Sequence, residues 1–76
     1  MNNQRRKIIE EIRAKLEELG SALTSVKDEE QDAFDNLSEG LQQSEQGQKT
    51  EAAAEALDEA VNSIDEAVTS LDTAAE

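Results

Sequence analysis

The most constraining feature of this sequence is a heptad spacing of apolar residues that no proline interrupts. In the first half of the chain the apolar residues follow one another at alternating steps of three and four. They are Ile9, Ile12, Leu16, Leu19, Leu23 and Val26. This spacing places all of them along one face of an α-helix, and the alternation with period two that is typical of strands is absent. It therefore predicts a first long helix over about residues 3–36, with these six side chains as its core or oligomer residues.

A second periodic segment contains three aligned heptads, which begin at Leu57, Ile64 and Leu71. Further apolar residues follow three and four positions after each of these. Three apolar positions in seven make a face that is wider than a two-stranded seam needs, and one row is entirely Ala, which allows a partner helix to approach closely. We predict a second long helix over about residues 50–75. Its expected core or oligomer residues are Leu57, Val61, Ile64, Val68 and Leu71.

A polar connection joins the two periodic segments at about residues 37–49 and contains Gly40 and Gly47. Ser44 and Thr50 are alternative N-caps for the second helix, and Gly47 favours the later start. Two helices of about 30 residues that fold back on each other form an αα-hairpin. The prediction is therefore an all-α protein with a single domain, a helical hairpin over residues 1–76.

The thin core of such a hairpin predicts self-association. The chain has one Phe and no Trp or Tyr, and much of its 36% apolar content is Ala. A dozen buried aliphatic side chains, worth about 1.5–3 kcal/mol each, barely offset the ordering entropy of a chain of this size. The absence of Cys and His excludes disulfides and removes the common metal ligands. We therefore expect a homo-oligomer, as a helical bundle or coiled coil.

The same residue inventory argues against catalysis. Without His, Cys or Tyr the usual proton shuttles and strong nucleophiles are missing, so we predict no enzyme, no catalytic residues, no metal site and no cofactor. The longest unbroken apolar run is the Ala triplet at 52–54, which is too short for a membrane span or a signal peptide. The expectation is a cytoplasmic protein that does not bind membranes.

Charge is distributed very unevenly along the chain. The net charge is −12, and residues 28–76 carry fifteen acidic side chains against a single cation, Lys49. Such a surface repels nucleic acid and anionic lipid and attracts basic protein surfaces. The alternative, with about equal weight, is that the acidity only keeps a small protein in solution.

Three surfaces are candidates for function. The candidate partner-binding residues are Asp58, Glu59, Asp65, Glu66 and Asp72 (hereafter the acidic face), whose heptad repeat spaces carboxylate pairs by about 10.5 Å. They form either a solvated face or a negative surface that imitates a nucleic-acid backbone. The candidate anion-binding residues are Arg5, Arg6 and Lys7, which lie at a helix N-terminus, where the helix dipole disfavours cations. The third surface is the corner from Phe34 to Leu41, for which a packing role at the end of the bundle is favoured.

The stretch from Lys27 to Gly47, Lys-Asp-Glu-Glu-Gln-Asp-Ala-Phe-Asp-Asn-Leu-Ser-Glu-Gly-Leu-Gln-Gln-Ser-Glu-Gln-Gly, followed by an acidic Ala-rich heptad helix, resembles small uncharacterised acidic helical proteins encoded by bacteriophages and prophages. The resemblance covers nearly the whole chain. It implies a phage or mobile-element origin, and hence the cytoplasm of an infected or lysogenic bacterium. It assigns no role to any residue.

Three functions are compatible with these features. The first is a non-enzymatic phage-type binding protein that inhibits or regulates a host protein, such as an anti-phage defence protein, through the acidic face. Its most specific version is a DNA mimic. The second is a structural or scaffolding coiled-coil oligomer. The third is an oligomeric sponge that holds a small anionic ligand near Arg5, Arg6 and Lys7.

Overall fold

Three helices make up the computed structural model, which describes residues 1–76. They are α1 (Asn3–Asp35), α2 (Glu39–Gln42) and α3 (Glu45–Ala74), and there is no strand. The two long helices pack against each other in antiparallel orientation and form a rod of 57 × 14 × 12 Å. The predicted all-α helical hairpin is confirmed.

Each helix begins at a polar side chain that satisfies a free backbone donor. Asn2 caps α1, where its Oδ1 accepts a hydrogen bond of 2.8 Å from the N–H of Arg5. Ser44 caps α3 in the same way, with a bond of 3.2 Å from the N–H of Gly47, and Ser38 caps α2. Because N-cap side chains of this kind stabilise a helix by about 1 kcal/mol, they fix where these helices start.

The second long helix starts earlier than the predicted start at about residue 50. It begins at Glu45, because Ser44 and not Thr50 is its cap. Gly47 is buried in the first turn, and a Cβ at this position would collide with the carbonyl oxygen of Leu41. Gly47 therefore does not delay the helix, as the sequence had indicated, but lets its first turn lie directly against α2.

Two rows of residues, each spaced at steps of seven, face α3. Both rows lie on α1, and the first extends into the turn that follows it. The first, the Leu16 row, contains Ile9, Leu16, Leu23, Glu30 and Leu37. The second, the Arg13 row, contains Arg6, Arg13, Gly20, Lys27 and Phe34. Gly20 is buried and the other members of both rows are half-buried. The contact face of α1 thus combines an apolar row with a row that carries three cations.

The predicted apolar seam of α1 divides between two environments. Ile9, Leu16 and Leu23 are half-buried, as predicted for core residues. The other three, Ile12, Leu19 and Val26, are 45%, 58% and 47% exposed. The Arg13 row lies on one side of the Leu16 row, and these three residues lie on the other side. Because α3 packs over the Arg13 row and the Leu16 row, it leaves these three outside the hairpin's own core. Their role as oligomer contacts stays a prediction.

On α3, all five predicted core residues are buried or half-buried, but the core between the helices is thin. Ala54 and Val68, which are 3% and 9% exposed, are its only buried apolar residues. At its centre Gly20 of α1 meets Ile64 of α3, whose Cγ2 lies 3.3 Å from the position that a Cβ of Gly20 would take. The missing side chain therefore lets Ile64 pack close to the backbone of α1 at this level.

Candidate protein-binding surfaces

An ion pair between Arg13 and Asp72 joins the first half of α1 to the last turns of α3. Nε and Nη2 of Arg13 donate to the two carboxylate oxygens of Asp72, the second bond at 3.2 Å, and Nη1 lies 3.0 Å from Glu17. The hydrogen bond to Asp72 raises the pKa of Arg13 above its usual value. Two parallel bonds of this kind hold the two planar groups in one relative orientation and so favour a single register of the helices.

A second ion pair continues the same register. Nζ of Lys27 lies 3.5 Å from Oδ1 of Asp58. Lys27 follows Arg13 by two heptads, and Asp58 precedes Asp72 by two heptads. Because the helices are antiparallel, the Arg13 row of α1 runs opposite the Asp58, Asp65 and Asp72 row of α3, and the two pairs are rungs of one ladder.

The middle rung of this ladder has no cation. Gly20 stands where the Arg13 row would supply one, and Asp65 occupies the matching position of α3. Both residues line an open groove of about 490 Å³, together with Glu17 and the hydroxyl-bearing Thr24. Asp65 therefore keeps a free carboxylate at the centre of the hairpin.

The acidic face consequently has two kinds of carboxylate. Asp58 and Asp72 at its ends form ion pairs with α1. Glu59, Asp65 and Glu66 are exposed and have no ion-pair partner within the chain. The part of the predicted surface that is available to a partner is thus its centre, and its ends also hold the fold together.

The three basic residues at the start of α1 do not converge on one site. Arg6 donates to the backbone carbonyl oxygens of Ala75 and Glu76, at 3.0 and 3.2 Å, whereas Arg5 and Lys7 are exposed. Adjacent helix residues do not face each other, so one partner cannot engage all three side chains from one side of α1. Arg6, which is unfavourable beside the N-terminus of α1, is favourable beside the C-terminal carbonyls of α3.

An apolar surface remains uncovered on α1. We call it the outer α1 face. It consists of Ile8, Ile12, Leu19, Ala22 and Val26, all of them exposed. The corner contributes less, because Phe34 and Leu37 are half-buried and only Leu41, at 55%, is largely exposed. The corner therefore packs mainly against its own chain.

Sequence reasoning did not find the roles of Arg6, Arg13 and Lys27. A signal for them was present, because these cations lie at heptad spacing on one flank of the apolar seam, as Asp58, Asp65 and Asp72 do on the second helix. Matching the two rows requires the antiparallel register, which only the folded hairpin supplies.

No cluster of three or more His, Cys, Asp or Glu side chains is arranged to hold a metal ion. Neither long helix contains a segment apolar enough to cross a membrane. Comparison with protein families, with curated proteins and with solved structures found no match. The acidic face and the outer α1 face are thus the two surfaces of the hairpin that are open to a partner.

Proposed function

We propose that this chain is a non-enzymatic, phage-encoded binding protein that inhibits or regulates a host protein through the acidic face of α3, in the cytoplasm of an infected or lysogenic bacterium. The observation that carries the proposal is that Glu59, Asp65 and Glu66 are available to a partner. These three neighbouring carboxylates are exposed and unpaired, whereas the acids on either side of them are held by α1.

The geometry of these carboxylates suits a basic cleft. They project from a helix of 30 residues whose position is held by ion pairs on both sides, so little backbone freedom is lost when a partner binds. Their field adds to that of a chain with net charge −12. A cleft that binds a nucleic-acid backbone presents cations in rows, and an acidic helix is a physical substitute for that backbone.

The test of this proposal compares the chain with two charge-matched variants. One replaces Glu59, Asp65 and Glu66 with Lys, and the control replaces three other exposed acids, Glu10, Glu39 and Glu51, with Lys. Both variants gain the same charge, and none of the six residues forms an ion pair in the structure. Helicity of all three proteins is checked by circular dichroism.

Each protein is immobilised and exposed to bacterial lysate at about 0.1 M and about 1 M salt, where the Debye length is about 10 Å and about 3 Å. The expected result is a basic protein that the unaltered chain and the control retain at low salt. The acidic-face variant loses it, and high salt releases it, because electrostatic association is sensitive to ionic strength. Equal retention by all three proteins would contradict the proposal.

A specific observation favours a second function, a structural coiled-coil oligomer. The chain exposes 5542 Å² of surface. A compact monomer of its mass, 8.3 kDa, exposes about 4,600 Å². We propose self-association on this ground, since the excess is close to the roughly 800 Å² that each partner buries in a standard protein interface. The two functions are compatible, because the acidic face and the outer α1 face lie on different helices.

A further inference from the structure

We propose that the outer α1 face is covered by the same face of a second copy of this chain, with the two α1 helices antiparallel. This inference rests on the proposed self-association and specifies its surface and orientation. It uses none of the residues of the acidic face.

The exposed side of α1 has a heptad pattern of its own. Ile8, Ile12, Lys15, Leu19, Ala22 and Val26 follow one another at steps of four and three, and all are exposed. Alternating steps of this kind produce a continuous stripe that a second helix can follow. The stripe lies beside the Leu16 row on the side away from the Arg13 row, so α3 leaves it free. α1 therefore carries two contact faces, of which the hairpin uses one.

The outer α1 face exposes several large apolar side chains. Ile8, Ile12, Leu19 and Val26 are between 45% and 58% exposed, which leaves four large aliphatic side chains in water on one stripe. Contiguous apolar surface of this kind marks an interaction site on a protein in solution. A two-fold contact between α1 helices would cover the stripe of both copies at once, because a symmetric dimer uses the same patch on each subunit.

The distribution of charge along α1 favours an antiparallel orientation of the two copies. The first fifteen residues contain five cations and two acids, whereas residues 28–35 contain five acids and no cation. Antiparallel helices place the basic end of one copy beside the acidic end of the other. A parallel pair would place like charges together at both ends, which is destabilising across a coiled-coil seam.

The apolar stripes of two antiparallel copies match in one register. When Ile8 lies opposite Val26 of the second copy, Ile12 lies opposite its Ala22. The same register sets Arg5 opposite Glu29 of the second copy, so an ion pair closes each end of the apolar stripe. Lys15 then lies near the two-fold axis, opposite Leu19, where its methylene groups can pack while the ammonium group reaches solvent.

The experiment uses the absence of cysteine in the natural chain. Two single-cysteine variants, Ile8→Cys and Val26→Cys, are mixed, equilibrated and treated with a short thiol cross-linker. The antiparallel dimer predicts cross-linked dimer in the mixture and little or none from either variant alone. Residues 8 and 26 of a parallel pair are about 27 Å apart along the helix axis at 1.5 Å per residue, so a parallel dimer would instead cross-link each variant to itself.

The matched control is the pair Ala14→Cys and Ser21→Cys, which are also exposed but lie outside the outer α1 face. In the proposed register these two positions come to nearly the same level of the two copies, as positions 8 and 26 do. This pair should not cross-link. Efficient cross-linking of the control with none between positions 8 and 26 would overturn the proposed interface, and self-linking of Ile8→Cys would overturn the orientation.

A further variant tests whether the outer α1 face, and not another surface, holds the oligomer together. Leu19→Lys should weaken dimerisation by at least about tenfold, since each dimer loses two apolar contacts and must place two charges at the seam, and helicity of the hairpin should persist. Light scattering that shows the unaltered chain to be a monomer would refute self-association as a whole. An oligomer that Leu19→Lys leaves intact would refute only this face.

Discussion

Ile64 packs directly on the backbone of Gly20, with its Cγ2 3.3 Å from the position that a Cβ of Gly20 would occupy. The other two glycines lie in different surroundings. Gly40 has open space around it, whereas a Cβ at Gly47 would collide with the backbone of Leu41 and Gln42. The three positions therefore separate helix propensity, which favours Ala over Gly by about 1 kcal/mol, from the cost of steric overlap.

Replacement of each glycine by alanine should give three different outcomes in chemical denaturation. Gly40→Ala should raise the free energy of unfolding by up to about 1 kcal/mol, because only propensity changes. Gly20→Ala should change it by less than about 1 kcal/mol, because Ile64 is half-buried and can yield by a few tenths of an ångström. Gly47→Ala should lower it by about 2 kcal/mol, since backbone carbonyls cannot yield without opening the corner. A stabilising Gly47→Ala would contradict the packing of α3 on α2.

The contrast between Leu16 and Leu19 tests the division of the apolar seam. Leu16 is half-buried against α3 and Leu19 is 58% exposed. Leu16→Asp, and likewise Ile64→Asp on α3, should cost about 3 kcal/mol or more and unfold the chain, because each places an unpaired charge between the helices. Leu19→Asp should leave a folded hairpin. Circular dichroism and thermal melting distinguish these outcomes, and an unfolded Leu19→Asp monomer would show that the exposed row belongs to the core.

The sequence was sufficient to predict the two long helices and their antiparallel pairing, because heptad rows and the glycine-containing connection are local signals. It did not predict that Leu16 would be half-buried and Leu19 exposed. Both lie on the same apolar stripe, and only the position of α3 decides which row is covered. The sequence also favoured Thr50 over Ser44 as the cap of α3, which was wrong. That choice depends on the contact of Gly47 with α2, which exists only once the corner has formed.

The same limit applies to the candidate surfaces. The acidic face was visible as a repeat, but its division into paired ends and a free centre depends on the ladder formed with Arg13 and Lys27. The linear sequence does not show that Gly20 stands where a cation would pair with an acid of α3. Only the folded hairpin places Asp65 opposite Gly20 and so leaves its carboxylate without a partner.

A double-mutant cycle at Arg13 and Asp72 should reveal favourable coupling. The control is the pair of Lys49 and Glu45, whose side chains are 69% and 86% exposed, and whose coupling should be close to zero. Because the folded-state pKa of Arg13 is raised, the stability from its charge is fully present below the unfolded-state pKa and is lost only as pH rises through the folded-state pKa. Coupling in thermal melts should therefore be the same at pH 7 and at about pH 9, both well below the ordinary pKa of Arg. Coupling close to zero at both pH values would argue that the pair does not form.

Added salt should stabilise this chain. With a net charge of −12, repulsion among exposed carboxylates opposes the compact state, and only a few ion pairs oppose that repulsion. Raising the salt concentration from about 0.01 M to about 1 M shortens the Debye length from about 30 Å to about 3 Å and screens the repulsion. The melting temperature should rise with sodium chloride at a fixed chain concentration. A decrease would mean that the ion-pair ladder outweighs the excess of acids.

Arg6 and Arg5 allow a matched test of the basic segment. Arg6 bonds to the carbonyl oxygens of Ala75 and Glu76, whereas the side chain of Arg5 is exposed and makes no hydrogen bond in the chain. Arg6→Ala should therefore speed amide hydrogen exchange in the last turn of α3, because its terminal carbonyls lose their donor and the favourable charge at the helix C-terminus. Arg5→Ala should leave that exchange unchanged. If an anionic ligand is instead the reason for the basic segment, both variants should weaken its binding, and the two measurements together assign Arg6 to the fold or to a ligand.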